Sequence, residues 1–221
     1  MPERTGGTAN RTERRKARTR AALIRAAQTF LAEGNLNAPI LEITRTADVG
    51  LGTFYNHFDS REQLFEVAIE EALDRHGALL DEITAELQDP AEIFAQAFRL
   101  TGRLHRLHPD LSKVLLNSGL SLLASEKGLA PRAHRDIEAG MRSGRFGAVR
   151  DPDLALTVIG GSVLALGRLL HDQPERDAAD ATDRITEDLL RMLGLPTAEA
   201  AEICARPLPD LTAFLGDDKA A

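Results

Sequence analysis

From Thr19 onward the chain repeats apolar residues at intervals of three and four with little interruption. Leu23, Ala26, Ala27, Phe30 and Leu31 form the first such stripe and predict an amphipathic helix. Gly34 and Asn35 stop it. Pro39 then suits the start of a short second helix, where its missing N–H has no intrahelical partner to lose. That helix carries Ile40, Ile43 and Ala47 on one side and breaks at Asp48. Ser60 with Gln63 three residues on makes a capping box, opening a long helix over 61–88 through Leu64, Phe65, Ala68, Leu80 and Leu87. Asp89-Pro90 opens the next, which runs through Phe94, Phe98, Thr101 and Leu104 and must yield before Pro109. Further helices are predicted over about 110–126, from Pro131 to Gly144, from Asp151-Pro152 to His171, over 181–193 and over 198–204. Residues 1–10 read as unstructured. Neither an alternating strand pattern nor a repeat is present, so the predicted fold class is all-α, with nine to ten helices.

Composition narrows the function. Of the 221 residues 43% are hydrophobic and only 4% aromatic, so a real core is available and rests on Leu, Ala, Ile and Val. One cysteine, Cys204, excludes a disulfide framework and suits a reducing cytoplasm. The longest uncharged apolar run, Leu154 to Gly167, has fourteen residues, short of the roughly 20 that span a bilayer, and no membrane partner is expected. The Arg-rich start followed by "AALIRAAQTFL" mimics a signal peptide, but Arg25 and Gln28 interrupt it and no cleavage site follows. The net charge of −7 is unevenly spread. Residues 1–61 hold ten Lys/Arg against six Asp/Glu, leaving 17 against 28 for the rest. A basic head on an acidic body points the head at a polyanion.

The segment "VGLGTFYNHFDSREQL", residues 49–64, decides between two chemistries. A phosphate-cradling loop needs a strand before its glycines and a Lys after them, and this segment has neither. Read as a helix over 51–57, with Gly50 at the N-cap, it turns Phe54 and Phe58 toward the preceding helices. Leu51, Thr53, Asn56 and His57 lie on the other side, with Tyr55 at the boundary. Two short helices separated by a tight break make a helix-turn-helix, whose second helix fits the DNA major groove. Gly52 would let backbone approach DNA closely.

Residues 19–65 resemble the DNA-binding domain of the tetracycline-repressor (TetR) family. The matching positions are Ile43, Ala47, Val49, Thr53, Phe54, Tyr55, His57, Phe58, Ser60 and Arg61. The resemblance implies a DNA-binding domain over 1–62, with a basic arm at 1–18 and the helix-turn-helix at 40–58. It implies a ligand-binding and dimerisation domain over 63–221, joined to the head by helix 61–88. Carried over by position, it implies DNA contacts from Leu51, Gly52, Thr53, Tyr55, Asn56 and His57, with Arg61 on phosphate; Arg45 is a further phosphate candidate. Asn56 suits bidentate pairing with adenine; Tyr55 and His57 suit phosphate. The arm either enters the minor groove or raises non-specific affinity through counterion release. Three departures stand out: Thr44 replaces the family's Ala, Asp48 its turn glycine, and Gly50-Leu51 its usual Ser and polar residue.

The body is expected to form a homodimer through helices 152–172 and 181–193, where Gly160, Gly161 and Gly167 permit close approach. The resemblance adds a small-molecule effector, with pocket candidates Phe94, Phe98, Leu104, Leu115 and Leu122 and polar candidates Thr101, His105 and Asn117. His105-x-x-His108 has metal-pair spacing but no third ligand nearby, and no cofactor fingerprint or catalytic constellation is present, so neither metal, cofactor nor enzymatic activity is expected. The expected function is a transcriptional repressor released from a palindromic double-stranded DNA operator by an effector. The alternatives are an architectural DNA-binding protein without ligand control and an all-α carrier or enzyme.

Overall fold

A computed structural model describes residues 6–119, 123, 125 and 127–209. Its ten helices are α1 (Gly6–Ala32), α2 (Ile40–Thr46), α3 (Leu51–Phe54), α4 (Arg61–Thr84), α5 (Pro90–Leu107), α6 (Pro109–Ser118), α7 (Leu129–Arg142), α8 (Pro152–Asp172), α9 (Ala178–Leu193) and α10 (Thr197–Ala205). No strand occurs among the described residues, and the fold is all-α. The chain divides into two compact units between Ala72 and Leu73, ten residues beyond the boundary expected at 62. The cause is that the first half of α4 buries Leu64, Phe65 and Ala68 within the N-terminal unit.

In the N-terminal unit α1 supplies Leu23, Ile24, Ala27 and Leu31, and α2 supplies Ile43, all buried. Phe54 and Phe58 are buried with ring centroids 6.0 Å apart. The Arg20 guanidinium stacks 5.4 Å above the Phe58 ring and pairs with Glu71 at 2.7 Å, while Gln28 donates to the Ala68 carbonyl at 3.0 Å. These two contacts tie α1 to α4. The Ser60 hydroxyl accepts from the Gln63 N–H at 3.1 Å, and the Gln63 side chain accepts from the Asp59 N–H at 2.7 Å. The cap that opens α4 is therefore in place.

Two expectations for this unit need correction. Helix α1 starts at Gly6, far ahead of Thr19. Residues 8–32 contain no Gly or Pro and are rich in Ala and Arg, so propensity extends the helix where nothing apolar marks a period. Helix α3 is four residues long, and residues 55–57 form a turn, because the Asn56 and His57 amides bond to carbonyls three residues back.

In the C-terminal unit α5 is central, packing against α6, α7, α8, α9 and α10. Its Phe94 and Phe98 meet Phe146, Leu166, Leu170, Leu190 and Leu193 in one core. Arg145 binds Asp89 through two bonds of 2.8 Å and Glu199 at 2.6 Å, joining the start of α5 to α10. Arg99 and Arg103 converge on Asp183 of α9. Asp89 and Asp151 cap α5 and α8 as their Asp-Pro pairs predict. Helix α6 was expected to reach residue 126 but stops at Ser118, because Gly119 adopts φ 59 and ψ −145, which a side chain would forbid. Helix α4 likewise ends at Thr84, before the expected residue 88.

Two histidines are buried in this unit. Thr101 donates its hydroxyl proton to the Ala97 carbonyl at 2.9 Å, so the 3.1 Å contact with His76 requires His76 Nε2–H to donate. His105 Nδ1 lies 2.7 Å from the Ser112 hydroxyl, which lies 2.9 Å from His171 Nε2. Burial brings the pKa of both His76 and His105 down to about 4. In the unfolded chain both titrate near 6.5, so below that pH the unfolded state takes up protons the fold refuses. Their contribution to stability should be complete above pH 6.5 and should decline as pH falls toward 4. The urea midpoint is expected to drop between pH 7 and pH 4.5; a midpoint that stayed level would contradict neutral burial.

Asp48 has φ 53, the one positive φ outside glycine among the described residues. It sits in the turn between α2 and α3, and Asp enters this region with less strain than most residues but still more than Gly. Asp48→Gly should stabilise the fold by about 0.5–1 kcal/mol, raising the melting temperature by about 2–4 °C, and Asp48→Val should lower it. Thermal unfolding followed by circular dichroism checks both.

Candidate nucleic-acid interface and ligand cavity

Helix α3 begins at Gly50, whose extended backbone (φ −72, ψ 147) forms the N-cap without a side-chain cap bond. Just before it, Thr44 is fully buried and donates to the Leu41 carbonyl at 3.0 Å, so the family's usual Ala is replaced by a hydroxyl with an internal partner. With Phe54 and Phe58 turned inward, the opposite surface is exposed: Leu51 at 47%, Tyr55 at 57%, and Gly52 and Asn56 with them. Thr53 and His57 are half-buried at its edge, and Arg45 stands exposed on α2. Arg61 is half-buried and holds Glu62 in a two-pronged contact of 3.0 and 2.6 Å. A phosphate there must compete with that carboxylate. Burial and the nearby cations Lys16 and Arg20 lower the pKa of His57.

The C-terminal unit holds a cavity of about 130 Å³ walled by α4, α5, α6, α7 and α8. Four of the expected residues, Phe94, Phe98, Thr101 and Leu115, line it. Leu104 and His105 are buried but belong to the packing beside it, Asn117 is exposed outside its wall, and Leu122 lies outside the described residues. Its walls are otherwise Leu73, Leu80, Leu123, Leu156, Ile159 and Val163, with one polar end.

That end was not foreseen. It consists of Asp81 and Thr84 on α4 and Arg132 and Asp136 on α7. Arg132 pairs with Asp81 at 2.7 Å and Asp74 at 2.8 Å, and Arg135 bridges Asp81 and Asp136 at 2.9 Å each. For Asp81, burial works against ionisation, but bonds from Arg132 and Arg135 outweigh it and lower the pKa. For Asp136 burial wins over Arg135, and the pKa rises. Asp136 accepts from one guanidinium only, so it retains acceptor capacity toward the cavity. The cluster sets three carboxylates, Asp74, Asp81 and Asp136, against two guanidiniums, and so suits a neutral hydroxyl better than an anion. Arg132 and Asp136, four apart on an otherwise amphipathic helix, were the available sequence signal; Asp81 lies some fifty residues away along the chain.

Two of the three glycines expected at a helix interface are used inside this chain. A side chain at Gly160 would overlap Leu123, and one at Gly167 would overlap the His105 ring, while Gly161 faces open space. Helix α8 is nonetheless long and apolar enough to cross a membrane by length and composition alone, at 21 residues. Much of it is uncovered, with Leu154 at 65% and Val158 at 48% exposure. No metal-binding cluster of His, Cys, Asp or Glu occurs among the described residues.

The profile of "Bacterial regulatory proteins, tetR family" matches residues 23–68, and that of "Tetracyclin repressor-like, C-terminal domain" matches residues 89–206. The crystal structure of RolR without ligand is 36% identical, with a TM-score of 0.68, covering 86% of this chain and 98% of that one. RolR in complex with resorcinol is also 36% identical, with a TM-score of 0.63, covering 90% and 98%. FadR from Bacillus subtilis in complex with stearoyl-CoA shares the fold at 19% identity, with a TM-score of 0.63 and coverage of 78% and 98%. No curated protein matches in sequence. Members of the matched family are transcriptional regulators rather than enzymes. An exposed helix-turn-helix at the head, a helical C-terminal unit of the family's own kind and relatives solved with bound ligands lead to one identification: this chain belongs to the TetR family and is a ligand-responsive, DNA-binding transcriptional regulator.

Proposed function

We propose that this protein is a cytoplasmic repressor, working as a homodimer on a palindromic operator, released when a small hydroxylated aromatic compound fills the cavity of the C-terminal unit. The observation that carries the ligand class is the cavity itself. At about 130 Å³ it is close to the roughly 150 Å³ engineered cavity that accepts benzene, so it suits one aromatic ring and not an acyl chain. Apolar walls take the ring, and Asp136 and Asp81 accept from its hydroxyls. RolR, 36% identical, is known with resorcinol bound, a molecule of this class.

Helix α4 makes the ligand relevant to DNA. It contributes Leu73, Leu80, Asp81 and Thr84 to the cavity and, at its other end, carries Arg61. A ligand that shifts Asp81 and Thr84 moves a helix continuous with the head. Whatever it subtracts from DNA affinity, DNA must subtract equally from ligand affinity.

For the dimer, the uncovered apolar side of α8 and the groove between α8 and α9, lined by Ser162, Ala165, Leu169 and Ile185, are the surfaces to be covered. In the head, Leu51, Gly52, Thr53 and Asn56 face base edges, and Arg45, Tyr55, His57 and Arg61 hold phosphate.

Selection of bound duplexes from random DNA tests the dimer and the head together. A palindrome with half-sites about 34–36 Å apart is expected; an asymmetric site would overturn the dimer. On that duplex Asn56→Ala should relax preference at one position per half-site, at about 1–3 kcal/mol, whereas Arg61→Ala should weaken all sequences alike. Identical behaviour of the two variants would refute the division into base reading and phosphate holding.

The ligand reading is tested by calorimetry with resorcinol, benzene and benzoate. Resorcinol should bind more tightly than benzene, and benzoate should be rejected by Asp81 and Asp136. Asp136→Asn should weaken resorcinol by about 10- to 150-fold, the cost of a lost hydrogen bond to a charged acceptor. Unaltered affinity would remove Asp136 from the site.

A further inference from the structure

The arginines of the two units are treated differently. In the C-terminal unit ten form ion pairs with carboxylates: Arg99, Arg103, Arg132, Arg135, Arg142, Arg145, Arg168, Arg184, Arg191 and Arg206. On α1, Arg11, Arg14, Arg15, Arg18 and Arg25 are all exposed, and none has an ion-pair partner among the described residues. Their spacing places them on one stripe of the helix, about 21 Å from end to end at 1.5 Å per residue. The opposite face carries Lys16, Arg20, Leu23, Ala27 and Leu31, which pack on the head or lie beside His57. Glu13, the acid in this part of the helix, lies away from the stripe by the same wheel, so the five guanidiniums are left without an internal anion.

We infer that this stripe is a second DNA-contacting surface, a helical arm that tracks phosphates flanking the operator, and that it does not enter the minor groove. The inference rests on the DNA-binding reading given above. Five like charges on one helical face repel one another, and an external polyanion relieves that repulsion. All five are Arg, whose planar fork bonds phosphate bidentately. The residues form part of a helix from Gly6, and an α-helix about 10–12 Å across does not fit a minor groove roughly 6 Å wide. The arm therefore adds affinity and no base preference.

The test uses the full-length protein and the duplex it selects from random DNA, at two lengths and with A·T or G·C flanks. The variant replaces all five arginines by Gln, which keeps helix propensity, and circular dichroism confirms that helix content is retained; a second variant replaces them by Lys. For wild type, affinity should fall with salt more steeply on the long duplex than on one trimmed to the half-sites. The Gln variant should lose roughly one unit of salt slope per phosphate contact removed, about four to nine units per dimer, with its base preference unaltered. The Lys variant should keep most of the slope. An unaltered slope in the Gln variant overturns the arm. A preference of wild type for A·T flanks that the Gln variant loses also overturns it, in favour of minor-groove insertion. Failure of the wild type to select any duplex overturns the DNA-binding reading and the arm with it.

Discussion

A helix of four residues has no stability of its own, since the first turn fixes several dihedrals for a single hydrogen bond. Helix α3 exists because Phe54 and Phe58 are buried behind it, with Arg20 stacked over the second ring and held in turn by Glu71. That one anchorage sets the rest of the head. It fixes which side of residues 51–57 is free for DNA, and it forces the tight turn at Asp48 that brings α2 and α3 together. It also draws the N-terminal half of α4 into the same unit. The exposed surface proposed to face DNA is therefore defined from its back, by the buried Phe54 and Phe58.

The same logic separates the two charge populations. A charge beside an apolar cavity is tolerated only when met by opposite charge, and Arg132, Arg135, Asp81 and Asp136 are mutually compensated for that reason. Their compensation costs the protein nothing in specificity, because Asp136 keeps an acceptor free. The α1 arginines Arg11, Arg14, Arg15, Arg18 and Arg25 are under no such demand. They are exposed, and left uncompensated they supply long-range attraction for a polyanion.

Much of this was legible in the sequence where local chemistry decides. Ser60 and Gln63, the two Asp-Pro pairs and Gly194 sit at helix ends because capping is a matter of a few adjacent residues. Thr44 and Asp48 were recognisable as departures, and the structure gives each its accommodation: an internal hydrogen bond and a left-handed turn. What escaped falls into two kinds. The extension of α1 to Gly6 carries no apolar period in the sequence, so periodicity is silent there. The polar end of the cavity joins residues some fifty positions apart, and Gly160 and Gly167 make room for Leu123 and His105 rather than for another subunit. Only three-dimensional neighbours distinguish these uses, and a single sequence does not supply them.

The size of the cavity bears on how strongly a ligand can act. The proposed ring-sized ligand would make few contacts, so its binding free energy would be modest, and the share available to shift α4 smaller still. Regulation by so small a molecule works only if the two DNA-binding states differ by little in its absence. Helix α4 runs from Arg61 in the N-terminal unit to Asp81 and Thr84 beside the cavity. The exposed Arg20–Glu71 pair holds it weakly, at about 0–1 kcal/mol, so a displacement of α4 is resisted chiefly by the buried packing of Leu64, Phe65 and Ala68.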